Sequence, residues 1–252
     1  MPGLDIHAGI WLALEEAGVV PTEVAGTSAG AIVSALQAAG RSASFAAALM
    51  NSLSDGDVRR ERFAWKLRIP WIDSFMENDP ILSILNRVLP GGFDKLALPF
   101  SAWATRVETG EAVNVANPEI CPSVTLSALA SMSISGVFPA VRLSDGFSYV
   151  DGGVRSNLPL PANWRDYDQV WLLIAQGRPA DYQHRSGILT NLLRNVHYLM
   201  QDQLCDALET TAGDTRVHVV WPALRVTAGM LHFDHDLIMS AYRYTKTLTG
   251  NP

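Results

Sequence analysis

Gly26-Thr27-Ser28-Ala29-Gly30 places a hydroxyl between two glycines in a G-x-S-x-G pattern. The β-compatible Glu23-Val24-Ala25 precedes it, and the small, apolar Ala31-Ile32-Val33-Ser34-Ala35-Leu36 follows. The spacing predicts a strand turning sharply into a helix, the setting in which a serine is raised into an exposed, attacking position. Gly26 and Gly30 would keep Cβ atoms away from strand and helix backbone. Ser28 would stand at a helix start, where free N–H groups and the helix dipole favour developing negative charge. The chemistry on offer is nucleophilic attack on a carbonyl, with the Ala29 N–H as a donor to the oxyanion. The plainer alternative is a glycine-bracketed helix start with Ser28 as an ordinary capping residue.

A serine needs a base. In Tyr149-Val150-Asp151-Gly152-Gly153, a strand end runs into a glycine turn, which would deliver the Asp151 carboxylate to a sheet edge. The alternative is a plain Asp-Gly turn. Histidine is the rival base. The six are His7, His184, His197, His218, His232 and His235. In a Ser–His–Asp hydrolase of the usual chain order, His232 or His235 would take that role. The His232-Phe233-Asp234-His235-Asp236 cluster has metal-ligand residue types, but no second cluster completes a site, so no metal is expected.

The elements that must hold these residues alternate along the chain. Helices are predicted at 4–17, with Gly18 as the stop, and at 29–39, 42–53, 125–134, 187–211 and 234–248. Strands are predicted at 22–26, 98–107, 111–116, up to Val150, 170–175 and 216–220, with Thr109-Gly110 turning a hairpin. The apolar run Val170–Ala175 reads as a strand buried on both faces. The expected fold is α/β, a mainly parallel central sheet flanked by helices on both faces, in one domain over residues 1–252.

Residues 55–90 read as a lid or cap. Ile81, Ile84, Leu85 and Val88 form a helical stripe, with Asp79 as cap and Pro80 in the first turn. Arg59, Arg60, Arg62, Trp65, Lys66, Arg68 and Trp71 suit either a membrane interface or a solvated helix with core tryptophans.

Composition bounds the rest. Hydrophobic residues make up 48% and charged residues 17%, which excludes a disordered chain. A net charge of −6 argues against a nucleic-acid partner. No apolar run approaches about 18 residues, so no spanning helix is expected, and no secretory leader is visible. Cys121 and Cys205 lack metal or redox spacing and read as free thiols of a reducing, cytoplasmic compartment.

Taken together the motifs resemble the patatin-like phospholipases. Val24–Ile32 is similar to the family's nucleophile block, and Ala130–Pro139 to its Ala-Ser block, with Ser135 where a proline is usual. Asp151-Gly152-Gly153 with Asn157-Leu158-Pro159 resembles the aspartate block. His232-Phe233-Asp234 with Leu237-Ile238 and Ala241-Tyr242 resembles the closing helix of bacterial members. The serine and aspartate lie 123 residues apart, as the resemblance requires. It implies a serine lipid acyl hydrolase with a Ser28–Asp151 dyad, supported by Gly26, Gly30, Gly152 and Gly153, and needing no cofactor. It implies a lipid or phospholipid substrate, and the basic and tryptophan residues of 55–90 would supply peripheral membrane contact. It also implies a strand and glycine-rich oxyanion loop ahead of the first helix. Here the chain reads Met1-Pro2-Gly3-Leu4, so Gly3 and Leu4 are the expected remnant of that loop. Two expectations follow: a start internal to a longer chain, or a weakened member that binds acyl chains.

Overall fold

In a computed structural model the described residues are 1–62, 74–177, 188–222, 224 and 232–250, with side chains described from 198 onward in the helix that begins at 188. Helix α1 (Pro2–Glu16) opens the chain. It ends where Gly18 takes φ +78°, the left-handed conformation that glycine adopts without strain. The Val19 N–H closes back on the Leu14 carbonyl at 2.9 Å, so the helix stops at the expected glycine.

Strand β1 (Val24–Thr27) leads into α2 (Ala29–Ala38). Then come α3 (Ala43–Ser52), capped by the Ser42 hydroxyl, and the short α4 (Asp55–Val58). Helix α5 (Asp79–Val88) buries Ile81, Ile84, Leu85 and Val88 against the core. Asn78 is its cap residue and Asp79 its first helical residue, one position on from the expected cap. Trp65, Lys66, Arg68 and Trp71 of the predicted lid lie outside the described residues. Of the basic residues around them, Arg59 pairs with Asp55 at 3.2 Å and Arg60 with Glu77 at 3.6 Å.

Strands β2 (Phe100–Arg106) and β3 (Ala112–Asn114) form the expected hairpin, turning at Gly110 with φ +71°. Helix α6 (Val124–Met132) precedes β4 (Val141–Arg142) and β5 (Ser148–Asp151). The main sheet runs β1-β2-β5-β4, with β3 also paired to β2. β1 and β2 are parallel, and the remaining pairs are antiparallel. A second sheet joins β6 (Val170–Leu173) and β7 (Val217–Val220) in parallel, around α7 (Ile188–Thr211). Helix α8 (Asp236–Leu248) closes the described chain. The class is therefore α/β, with a mixed sheet flanked by helices.

Burial of β6 on both faces is not observed. Leu172 is buried, while Val170, Trp171 and Leu173 are half-buried. Among the described residues β6 pairs only with β7 and packs against α1 and α8.

Helix α1 serves both sheets. Leu4, Ala8 and Trp11 join the large core with Val24, Ile32 and Leu36. Ile6, Ile10 and Leu14 join a second core with Val220, Leu237 and Ala241. At Gly9 a Cβ would overlap the Ile238 carbonyl, so only glycine lets α1 and α8 approach this closely. No helix among the described residues is long and apolar enough to cross a membrane.

Candidate active site

The β2 strand is the frame on which Ser28 and Asp151 are placed. Thr27, the last residue of β1, pairs with Trp103. β3 takes one side of β2 at Trp103–Thr105, so β5 lies on the same side as β1, and there Asp151 pairs with Ala104, the residue after Trp103. Ser28 and Asp151 are therefore brought together end to end along one side of β2, where β1 stops and β5 stops.

Ser28 has φ 56° and ψ −124°, and among the described residues it is the one non-glycine with positive φ. A β-carbon in this region is strained, and such strain persists where surrounding structure enforces it. Ser28 occupies the cap position of α2, but its side chain makes no capping bond, so the ordinary capping role does not hold. The Ser28 N–H instead donates to Ser131 Oγ at 3.1 Å, and Ser131 donates to the Trp103 carbonyl at 2.6 Å. The Thr27 hydroxyl donates to the Ser156 carbonyl at 2.7 Å. These bonds hold the turn from both sides.

Gly26 is obligatory, because a Cβ there would meet the Gly30 carbonyl and lie 2.5 Å from the Ala31 nitrogen. Gly30 is different from the expectation. A Cβ on it would meet no backbone and would sit 3.5 Å from His7 Nε2, an ordinary contact. The helix has already turned away from the strand at that position. Gly152 is obligatory for a separate reason, since a Cβ there would overlap the Trp103 carbonyl. A Cβ at Gly153 would overlap the Met200 methyl group of α7.

Asp151 is 3% exposed. Its N–H donates to the Ser133 carbonyl at 2.8 Å, and its own carbonyl accepts from the Thr105 hydroxyl at 3.0 Å. Oδ1 accepts from the Gly153 N–H at 2.7 Å, while Oδ2 is buried with no hydrogen-bond partner. Burial pushes the carboxyl up from 3.8 to about 6, opposed by the nearby Ser28 hydroxyl and by the Gly153 N–H. Asn157, two turns of chain further on, ties this loop to α7. Its side-chain amide donates to the Gln176 side chain at 2.9 Å and to the Met200 carbonyl at 3.1 Å.

Neither Gly3 nor Leu4 is in a loop. Both lie in the first turn of α1. The Leu4 N–H is bonded to the Met1 carbonyl at 3.0 Å and so is not a free donor. Gly3 packs against Ala29, where a Cβ would come within 3.0 Å of the Ala29 Cβ. The Ala29 N–H begins α2 and has no intrahelical acceptor.

Two roles escape sequence reasoning. The segment Ser131–Ser133 at the end of α6 braces both candidate residues, Ser131 through the Ser28 N–H and Ser133 through the Asp151 N–H. Buried serines spaced two apart at a helix end were the available signal. His7 is the other: half-buried, it faces the first turn of α2, and burial lowers its pKa to about 4, leaving the ring neutral. The rival bases face other carboxylates. His232 Nδ1 is 2.7 Å from Asp55 Oδ2, and His235 Nδ1 is 3.7 Å from the fully buried Asp5 Oδ1. His184 lies outside the described residues. Among the described residues no three His, Cys, Asp or Glu groups could together hold a metal ion. Cys121 is buried and Cys205 exposed, and both are free.

The family model of the patatin-like phospholipases matches residues 6–164, more than half of the 252-residue chain and inclusive of both Ser28 and Asp151. Comparison with curated proteins finds no match.

Proposed function

The chain belongs to the patatin-like phospholipase family, and on that premise we propose that it hydrolyses carboxylic esters of lipids with Ser28 as nucleophile and Asp151 as general base. Ser28 Oγ attacks the ester carbonyl carbon while its proton passes to Asp151 Oδ2. The carbonyl oxygen becomes an oxyanion, for which the Ala29 N–H and the start of α2 are the nearest donors. The tetrahedral intermediate collapses, and Asp151 returns the proton to the departing alcohol oxygen. Water then attacks the acyl-enzyme, giving up its proton to Asp151, and the acid leaves as Ser28 recovers its proton. The cycle balances without a metal or organic cofactor.

The observation that carries this reading is the unpartnered, buried Asp151 Oδ2 beside a serine held at positive φ. An acceptor deprived of both water and a donor is a poor structural device and a good proton acceptor. Treatment with a fluorophosphonate tests it: the label is expected on Ser28, and Ser28→Ala is expected to remove both labelling and hydrolysis. Label on another serine would refute the assignment.

A second reading, an acyl binder with slow turnover, is favoured by the donors around Ala29. Pro2 has no N–H, and the Leu4 N–H is already bonded. Each oxyanion donor engaged elsewhere, as the Leu4 N–H is, costs roughly 100- to 1,000-fold in rate. Rapid stoichiometric labelling of Ser28 with little steady-state turnover would select this reading. Contact with a lipid surface through residues 55–90 belongs to the same proposal, and a vesicle-sedimentation assay checks it.

A further inference from the structure

Asp151 stands at the end of β5, and the chain that follows it has little structure of its own. Gly152–Val154 make a single 3-10 turn, and the chain then runs on through Ser156 and Asn157 in neither helix nor strand. The Arg155 and Ser156 N–H groups both close on the Gly152 carbonyl, at 2.9 and 2.8 Å. This turn nevertheless sets the carboxylate, because the Gly153 N–H is the donor that holds Oδ1. One 3-10 turn, with its poor hydrogen-bond geometry, keeps its place when other elements hold it.

The element that holds it is α7. The Gln203 side chain bonds both ends of the turn: its oxygen accepts from the Asn157 N–H at 3.0 Å, and its nitrogen donates to the Val154 carbonyl at 2.6 Å. A backbone donor and a backbone acceptor fix which way the amide faces, and a carboxamide offers both functions on one planar group. Between those two points the Ser156 carbonyl accepts from the hydroxyl of Thr27, the residue before the nucleophile. The turn that aims Asp151 is thus gripped by Gln203 at 154 and 157 and by Thr27 at 156. Gln203 is itself anchored, since Leu204 and Ala207 of the same helix are buried and Met200, one turn earlier, lies against Gly153.

Proton transfer from Ser28 to Asp151 needs the two oxygens within hydrogen-bond distance, and a misplacement of about 1 Å costs roughly 100-fold. We infer that Gln203 is a positioning residue for the dyad: by clamping the turn from Val154 to Asn157 it fixes the Asp151 carboxylate against Ser28, acting through the loop backbone. The inference rests on the Ser28–Asp151 reading for the reaction that it serves. Gln203→Met removes both bonds and keeps a side chain of similar length. Gln203→Glu keeps the acceptor for the Asn157 N–H but sets an oxygen against the Val154 carbonyl.

The test measures p-nitrophenyl butyrate hydrolysis by the full chain, by both variants, and by each variant combined with Asp151→Asn. Gln203→Met is expected to lower kcat roughly 10- to 100-fold with KM within about twofold. In the Asp151→Asn background the same change should cost less than about threefold, because a residue that acts through Asp151 has no base left to position. Ala207→Gly loosens the same helix away from the loop, and should lower the Tm at unchanged kcat. Equal losses in the two backgrounds overturn the inference, as does full kcat in the folded Gln203 variants when Asp151→Asn is impaired. A loss in Ala207→Gly equal to that in Gln203→Met also overturns it. A second readout needs no turnover: amide hydrogen exchange over residues 152–157 should quicken in Gln203→Met, or in Gln203→Glu if the first does not fold, and unchanged exchange overturns the clamp. Quickened exchange with undiminished hydrolysis in Ser28→Ala and Asp151→Asn upholds the clamp and overturns the dyad reading instead.

Discussion

Asp151→Asn should make the protein more stable and less active, and the stability gain should depend on pH in a defined way. A carboxyl moved from 3.8 to about 6 by burial binds its proton more tightly in the folded chain than in the unfolded one. At about 1.36 kcal/mol per pKa unit, holding it ionised costs the fold about 3 kcal/mol. The sign follows from the raised value. Below about pH 4 the carboxyl is protonated in both states and costs nothing. Between about 4 and 6 the cost grows, and above 6 it is complete. Asparagine keeps the shape and the acceptor for the Gly153 N–H but has no charge to bury. Its amide nitrogen replaces the unpartnered Oδ2, so part of the gain is lost to a poorly satisfied donor. The net expectation is about 1–3 kcal/mol at pH 8, falling toward zero at pH 4. In a chain of this size each kcal/mol is about 2–4 °C in Tm. Urea unfolding of both proteins at pH 4, 6 and 8 measures the difference, in which titration elsewhere cancels. Ester hydrolysis should fall roughly 100-fold or more in the same variant. An asparagine variant no more stable at pH 8 than at pH 4, relative to the parent, would refute the buried-charge argument.

Four further outcomes are expected. Gly26→Ala should destabilise the fold by several kcal/mol because of the clash with Gly30 and Ala31, while Gly30→Ala, whose Cβ meets only the His7 ring, should be tolerated in thermal melts. Ser131→Ala removes the acceptor of the Ser28 N–H, and should cost about 1–3 kcal/mol in denaturant unfolding and reduce the rate of fluorophosphonate labelling. Hydrolysis in the parent should fall as pH drops through about 6, because Asp151 must be ionised to accept a proton; a pH–rate profile flat to pH 4 would contradict it. His232→Gln with His235→Gln should leave most of the activity, since the His232 ring is bonded to Asp55 and the His235 ring lies beside Asp5; loss of activity in a folded double variant would favour a histidine base.

What was legible in the sequence was local. Gly26-Thr27-Ser28-Ala29-Gly30 marks its own turn, because the collision that requires Gly26 is with residues four and five positions away. Gly18 likewise stops α1 by a bond between neighbours. What was not legible depends on partners remote in sequence. Ser131 braces Ser28 across 103 residues, and no spacing rule links them. His7 gains its place only when α1 lies across the first turn of α2. The apolar run of β6 signals burial but not by what, and among the described residues it pairs with β7 alone. Gly3 and Leu4 were read against a loop, whereas Pro2 at the first helical position favours helix from the outset.

The double allegiance of α1 also constrains the order in which this molecule can be built. One flank of the helix lies under the nucleophile turn and the other waits for α8, more than 200 positions later in the chain. Contacts so distant are slow to form, because a long loop must close before they contribute. During synthesis, a ribosome-bound chain that has emerged as far as residue 164, the end of the family match, still presents Ile6, Ile10 and Leu14 without the α8 and β7 side chains that bury them. Such an intermediate carries a sticky, uncovered stripe directly behind its candidate nucleophile. The bonds that hold the Ser28 turn, from Ser131, Trp103 and Ser156, all fall within that emerged length, so the site can be framed before the helix behind it is covered.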